Sequence, residues 1–167
     1  PQGRSNMKKV ALFVDIQNIY YTVRDRYQGF FNYQALWDEL SAEYSIVSAN
    51  AYAIDSGNAK QQAFQQTLRN MGFNILLKPY IQRSDGSAKG DWDVGIAIDM
   101  MDAAASAEVD MLVLLSGDGD FDLLLKRIKS NSGLDTLVYG VPQLTATSLI
   151  DAAAVFKGID KDLLMPR

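Results

Sequence analysis

The sequence predicts an α/β fold in three layers, with a mostly parallel sheet of five or six strands between layers of helices. Strand patterns alternate with helix patterns along the chain, and this order requires crossover connections between parallel strands. Residues 110–115 end in an uninterrupted apolar run, as expected for a strand buried on both faces. We expect one domain at residues 7–167, after a tag remnant at residues 1–6.

The segment up to residue 44 predicts one strand and two helices. Residues 8–14 alternate between polar and apolar and then become continuously apolar before Asp15, which is the pattern of a strand entering the core. Helical patterns follow at residues 16–27 and 33–44. The first strand therefore ends at a carboxylate that directly precedes a helix.

The next segment predicts a strand, a helix and another strand. Residues 46–54 form the second strand, and residues 59–71 form a polar, Gln-rich helix. Gly72 is suited to end this helix, because glycine adopts the left-handed conformation without steric cost. Residues 73–81 are the third predicted strand, followed by a polar loop at residues 83–90.

The second half of the chain continues the alternation. Its predicted elements are a helix at 91–107, the strand ending at 115, a helix at 121–131, a strand at 136–139 and a short helix at 147–153. The helix at 91–107 carries apolar side chains at helical spacing, which predicts that they face the core. These side chains are Val94, Ala97, Ile98, Met101 and Ala105.

The amino-acid composition excludes several classes of catalytic and metal-binding site. The chain has no histidine and no cysteine, which excludes Ser-His-Asp and Cys-His triads and zinc sites built on imidazole or thiolate. The absence of cysteine fits a reducing compartment, so we expect a cytoplasmic protein. No apolar run approaches the roughly 18 residues of a membrane span, so we expect no membrane association. The formal net charge is −4, which disfavours non-specific binding to nucleic acid unless the acids are concentrated in a metal pocket.

Aspartates stand at or just beyond predicted strand ends. Asp15 ends the first strand, Asp118 and Asp120 follow the fourth, and Asp93 opens the helix leading into the fourth. In doubly wound sheets the first and fourth strands are commonly neighbours, so these four acids are expected to face one pocket. Oxygen ligands favour Mg²⁺ or Mn²⁺. The alternative for each acid alone is a helix N-cap, which is the commoner role for Asp93 considered in isolation.

Other motifs fail at particular positions. An EF-hand beginning at Asp118 would need glycine and glutamate where the chain has Leu123 and Lys129. A dinucleotide-binding turn would need a third glycine where Asp122 stands. A haloacid-dehalogenase-type phosphatase would need a second aspartate two residues after Asp15, where the chain has Gln17.

Three segments resemble the motif blocks of the NYN domain family, with the LabA-like bacterial proteins as the nearest branch. They are Phe-Val-Asp-Ile-Gln-Asn at 13–18, Lys-Gly-Asp-Trp-Asp-Val at 89–94, and Ser-Gly-Asp-Gly-Asp-Phe at 116–121. The resemblance spans about residues 8–157, and residues 147–156 resemble the closing helix and strand of the family.

This resemblance implies a Rossmann-like, PIN-like fold and a metal-dependent ribonuclease. It places Asp15, Asp93, Asp118 and Asp120 at the acidic metal positions. Asn18 matches a polar position beside the first acid, and Ser116 matches a small hydroxyl residue before the last two. Asp99 also matches a recurrent family acid, although six residues on a regular helix separate it from Asp93 by about 240°. A further acid common in PIN-type nucleases is absent from the Gln-rich helix, which leaves a single-metal site open.

We therefore expect hydrolysis of phosphodiester bonds in single-stranded RNA at a Mg²⁺ or Mn²⁺ site. Asn18 and Ser116 would contact the phosphate or the attacking water. Cations near the pocket mouth (Lys89, Lys78 and Arg83) would contact phosphates, and Trp92 and Tyr80 would stack on bases; Trp92 is as well suited to be a core anchor.

Two other functions remain open at this point. One is a non-catalytic regulator that binds RNA or a protein partner, in keeping with regulatory roles of LabA-like proteins and with the acidic net charge. The other is a small-molecule phosphohydrolase. Arg24, Arg26, Phe30 and Phe31 could form an interface, including one between two copies of the chain.

Overall fold

The computed structural model describes residues 7–79, 81–82, 88–89 and 91–166. Within this part of the chain, six parallel strands form one sheet in the order β3-β2-β1-β6-β7-β8. The strands are β1 (Lys9–Asp15), β2 (Ser45–Asp55), β3 (Asn74–Pro79), β6 (Met111–Leu115), β7 (Asp135–Gly140) and β8 (Val155–Gly158). Two further strands, β4 (Ile81–Gln82) and β5 (Ala88–Lys89), pair with each other as an antiparallel hairpin. The predicted three-layer α/β fold is confirmed, with six strands in an all-parallel sheet.

Helices cover both faces of this sheet. They are α1 (Ile16–Tyr27), α2 (Tyr33–Glu43), α3 (Ala59–Met71), α4 (Asp93–Ala105), α5 (Asp122–Ser132) and α6 (Thr147–Ala152). Short 3-10 turns occur at Gly119–Phe121, Pro142–Leu144 and Lys161–Leu163. Gly72 ends α3 with φ of +123°, as its position in the sequence predicts.

The core lies in two layers because successive side chains of each strand point to opposite faces. Along β1, Val10, Leu12 and Val14 pack against α1, α2 and α3. Ala11 and Phe13 point the other way and pack against α4, α5 and α6. β1 has neighbours on both edges and is buried from Val10 onward, so the site at its end rests on a strand enclosed within the sheet.

The predicted inward face of α4 is wrong. Ile96, Met100 and Ala104 are the buried residues of this helix, whereas Val94 and Ile98 are 70% and 54% exposed. The cause is that valine, isoleucine, methionine and alanine occupy nine of the 13 positions of α4, so more than one apolar stripe of helical spacing is present in the sequence. The helix also ends at Ala105 instead of continuing to residue 107.

Two smaller differences from the predicted fold concern the short strands β5 and β8. Residues 83–90 were predicted to be a loop, but residues 88–89 form strand β5. The other residues of this segment lie outside the described residues. β8, which only the family resemblance predicted, extends the sheet beyond β7. After β8 the chain returns to the loop between α1 and α2, where the amide of Met165 donates to the carbonyl of Phe30. None of the helices in the described ranges has the length and apolar character needed to cross a bilayer.

Candidate metal centre

The pairing of β1 with β6 brings two predicted motif segments to one edge of the sheet. Val14 lies opposite Leu115 in this parallel pair. The next residues along each strand are Asp15 and Ser116, so both stand where open α/β sheets bind ligands. The expected adjacency of the first and fourth predicted strands is confirmed.

Three carboxylates meet beside this edge. Asp93, Asp118 and Asp120 each offer an oxygen that lies within 4.8 Å of the other two. Asp93 is the first residue of α4, while Asp118 precedes the 3-10 turn that contains Asp120. Asp118 Oδ1 accepts a hydrogen bond of 2.9 Å from the amide of Asp120, which fixes the two acids relative to each other. An all-oxygen donor set of this kind suits Mg²⁺ or Mn²⁺ and does not suit zinc.

A hydroxyl and an amide hold the turn after β6 against the end of β1. Ser116 Oγ donates to Asp15 Oδ2 at 3.3 Å and accepts from the amide of Asp118 at 3.1 Å. Asn18 Oδ1 accepts from the amide of Gly117 at 2.8 Å. Asp15 also caps α1, because its Oδ1 accepts from the amide of Asn18. Asp15 is therefore joined to Asp118 through one hydroxyl but lies outside the group of three carboxylates.

Burial makes ionisation of two of the four aspartates, Asp15 and Asp93, less favourable than in water. Burial raises the pKa of Asp15 to about 6, against the lowering effect of the Asn18 amide and the Ser116 hydroxyl. Burial is also the main cause of the raised pKa of Asp93, and a hydrogen bond with Asp118 adds to it. Within the described residues the ion pair is Lys129 with Asp135, so no lysine or arginine there neutralises the three carboxylates. A divalent cation would supply the missing charge.

Residues 144–146 lie so close to Gly117 and Gly119 that these two positions require glycine. A Cβ on Gly117 would lie 2.6 Å from the carbonyl oxygen of Leu144 and 3.2 Å from Thr145 Cα. A Cβ on Gly119 would lie 2.8 Å from Ala146 Cβ. The amide of Ala146 donates to the carbonyl of Gly117, which closes this contact. Sequence reasoning missed residues 144–146 as a support of the site, although the two closely spaced glycines signal a close approach.

The Gly117→Ala variant is expected to lose about 1–3 kcal/mol of stability, because the new methyl group meets backbone atoms that move only with the loop. Urea unfolding midpoints measure the loss. Gly29→Ala is the matched control, since the closest atom to its Cβ is Tyr27 O at 3.9 Å. Equal midpoints for the two variants would contradict the requirement for glycine at position 117.

Asp99 lies apart from the three carboxylates. Its Oδ2 accepts a hydrogen bond of 2.8 Å from the hydroxyl of Tyr52, whose ring is fully buried. The ring of Trp92 packs at 5.3 Å against Tyr52, and its Nε1 donates to the carbonyl of Ala53. These contacts tie the start of α4 to β2 and so position Asp93. Here Trp92 serves as an anchor, the alternative to base stacking that the sequence left open.

The predicted phosphate contacts are placed only in part. Lys78 Nζ lies 4.5 Å from the centroid of the Trp92 ring and donates to the carbonyl of Asp91, so it stands near the start of α4. The backbone of Lys89 belongs to β5. Arg83, Tyr80 and the side chain of Lys89 lie outside the described residues. Ser116 is fully buried, and Asn18 is half-buried with its carbonyl oxygen already accepting a hydrogen bond.

Comparisons with known proteins identify the family and the fold of the chain. The family profile of the NYN domain matches residues 9–160. The chain is 25% identical over 138 residues to the low amplitude and bright protein LabA of Synechococcus elongatus, covering 78% of this chain and 73% of that protein. A crystal structure of a protein of unknown function from Vibrio parahaemolyticus is 50% identical, with a TM-score of 0.89 over 95% of this chain and 97% of that one.

Proposed function

Because the chain belongs to the NYN domain family, we propose that it is a metal-dependent ribonuclease that hydrolyses phosphodiester bonds of single-stranded RNA. The observation that carries this proposal is the group formed by Asp93, Asp118 and Asp120, whose oxygens lie within 4.8 Å of one another. Three ionised acids without a basic partner among the described residues repel one another, and a bound cation would offset this repulsion. We propose Mg²⁺ or Mn²⁺ as that cation.

Each acid has a place in the proposed site. Asp93, Asp118 and Asp120 would hold the ion, and Asp15 is the fourth acid, linked to the turn through Ser116. A bound divalent ion supplies a Lewis acid that lowers the pKa of water and offsets charge on the phosphate. Asp99 does not join this group; it fixes Tyr52 and, through it, the start of α4.

Side chains of this protein would accept the proton of the attacking water and bind the phosphate groups of the substrate. The chain has no histidine, and we propose a carboxylate as the acceptor of the proton of the attacking water. Asp15 is our candidate for this role, since it lies outside the group of three carboxylates and burial raises its pKa in the ion-free protein to about 6. Lys78, near the start of α4, is suited to a phosphate oxygen, and we propose the same for Lys89.

The test is cleavage of a short, end-labelled single-stranded RNA. We expect product in Mg²⁺ or Mn²⁺ and none in EDTA, since the acids alone cannot stabilise the charge that develops on the phosphate. The melting temperature of the protein is expected to be higher with excess Mg²⁺ or Mn²⁺ than in EDTA. An ion that binds only the folded state stabilises that state. A protein that neither cleaves RNA nor gains stability from divalent ions would contradict the proposal.

A second candidate is a non-catalytic regulator on the same scaffold that binds RNA or a protein. The similarity to LabA and the net charge of −4 favour it. The same measurements separate the two candidates. Stabilisation by divalent ions and binding of RNA without cleavage would support the regulator and reject the nuclease.

A further inference from the structure

Helix α1 and the loop that follows it carry exposed aromatic side chains. Tyr20, Tyr21 and Phe30 are 40%, 58% and 60% exposed. Their rings form one cluster, with centroids 5.2 Å apart for Tyr20 and Tyr21 and 6.3 Å apart for Tyr20 and Phe30. Ile19 and Val23, on the other side of α1, are fully buried in the core. The helix therefore shows solvent a grouped aromatic surface, which is a common mark of a binding site.

A guanidinium group belongs to the same surface. Arg24 Nη1 donates to the hydroxyl of Tyr20 at 2.9 Å, and its Cζ lies 5.9 Å from the centroid of that ring. In the described part of the chain no carboxylate oxygen lies within 4 Å of Arg24. Its charge is thus available to an anionic ligand, while the hydrogen bond to Tyr20 limits the positions it adopts. We call Tyr20, Tyr21, Arg24 and Phe30 the α1 aromatic face.

Helix α1, which carries most of this face, also leads out of the acidic site. α1 starts directly after Asp15, and Asn18 in its first turn accepts from Gly117. At 1.5 Å per residue, Tyr20 and Arg24 lie about 8 Å and about 13 Å from Asp15 along the helix axis. Tyr21 and Arg24 line a hollow of about 360 Å³ together with Asp25 and Gln28. The hollow therefore lies toward the C-terminal end of α1, and an extended RNA strand of a few nucleotides held there reaches back to the N-terminal end, where Asp15 lies.

We propose that the α1 aromatic face binds the single-stranded RNA whose phosphodiester bond enters the acidic site, an inference that rests on the proposed function. Exposed rings bind unpaired bases by stacking, and arginine contributes to both base stacking and phosphate binding. A chain of net charge −4 needs such local contacts, since its overall field does not attract a polyanion. An RNA duplex keeps its bases stacked on one another and does not use the rings in this way.

The test measures binding in EDTA, where cleavage does not interfere. The anisotropy of a labelled single-stranded RNA is followed for the wild type and for Tyr21→Ala and Arg24→Ala. Each variant is expected to bind about tenfold more weakly. Arg127→Ala, which removes an exposed arginine from α5, is the matched control and should bind like the wild type. Stabilisation by Mn²⁺ should be unchanged in all three variants, which shows that the fold and the acidic site persist.

An opposite effect is expected for Asp25→Asn. Asp25 lies beside Arg24 in the hollow, and its charge repels phosphate. Removing this charge should tighten RNA binding several-fold, a gain that misfolding cannot produce. Asp151→Asn, on α6, removes an equal charge elsewhere and controls for the change in net charge.

The outcomes separate this inference from the proposed function. RNA cleavage with unchanged binding in Tyr21→Ala and Arg24→Ala would overturn the role of the α1 aromatic face and leave the nuclease in place. Absence of RNA binding and cleavage by the wild type would overturn both. If the variants instead abolish self-association in gel filtration and leave RNA binding intact, the face is a contact between copies of the chain and the inference is rejected.

Discussion

The Asp118→Asn, Asp120→Asn double variant is expected to cleave RNA at least about 10³-fold more slowly than the wild type. Both residues belong to the group of three carboxylates, and their loss leaves Asp93 alone in that group. Metal-ion catalysis contributes several kcal/mol of transition-state stabilisation, and each 1.36 kcal/mol is about tenfold in rate. The rate of product formation with Mn²⁺ measures the loss.

The fold of this variant should persist. Asparagine keeps the Oδ1 atom that accepts from the amide of residue 120, so the turn after β6 is retained. Asp102→Asn, Asp151→Asn is the matched control, because it removes two exposed carboxylates outside the site. The control should cleave RNA normally. Cleavage that persists in the site variant would show that another group, or a contaminant, performs the reaction.

The ion-free protein is expected to become less stable as the pH rises from about 4 to about 6. The ordinary pKa of an aspartate side chain is 3.8, and burial raises the pKa of Asp15 to about 6 in the folded protein. Between these values the folded state binds a proton that the unfolded state has released, so the free energy of unfolding falls with rising pH. For a group this buried the loss is on the order of 2–3 kcal/mol. Urea unfolding in EDTA at several pH values measures it.

The Asp15→Asn variant should reduce this pH-dependent loss, and the part that comes from the raised pKa of Asp93 should remain. Asparagine is an equally good N-cap for α1, and its side chain can still form hydrogen bonds with Asn18 N and Ser116 Oγ. Above pH 6 the ion-free variant should therefore be more stable than the wild type, while Asp102→Asn should not be. A wild type whose stability stays level or rises between pH 4 and pH 6, with no difference in the variant, would contradict the raised pKa.

Periodicity and continuous apolar runs were enough to predict the central strands. β1 and β6 consist almost entirely of buried apolar residues, and their adjacency follows from the topology of doubly wound sheets. The inward face of α4 was not predictable in the same way. Val94 and Ile96 are both apolar, and only the packing against the sheet buries one and exposes the other. β8 is short and half-buried, so its pattern is weak.

The acids at the strand ends were visible in the sequence, but their roles within the site were not. The structure brings Asp93, Asp118 and Asp120 together and connects Asp15 to them through Ser116. The angle of about 240° on a regular helix explains why Asp99 does not share their position. The support given by residues 144–146 depends on a contact between loops distant in sequence, which no local pattern records.

The strand order β3-β2-β1-β6-β7-β8 determines which strands can pair while the chain is still being synthesised. β1, β2 and β3 leave the ribosome first, and one edge of β1 stays unpaired until β6 follows. Asp118 and Asp120 come after β6, so the carboxylate group stays incomplete until residue 120 has emerged. A nascent chain that ends before this point therefore carries no assembled acidic site beside the messenger that encodes it.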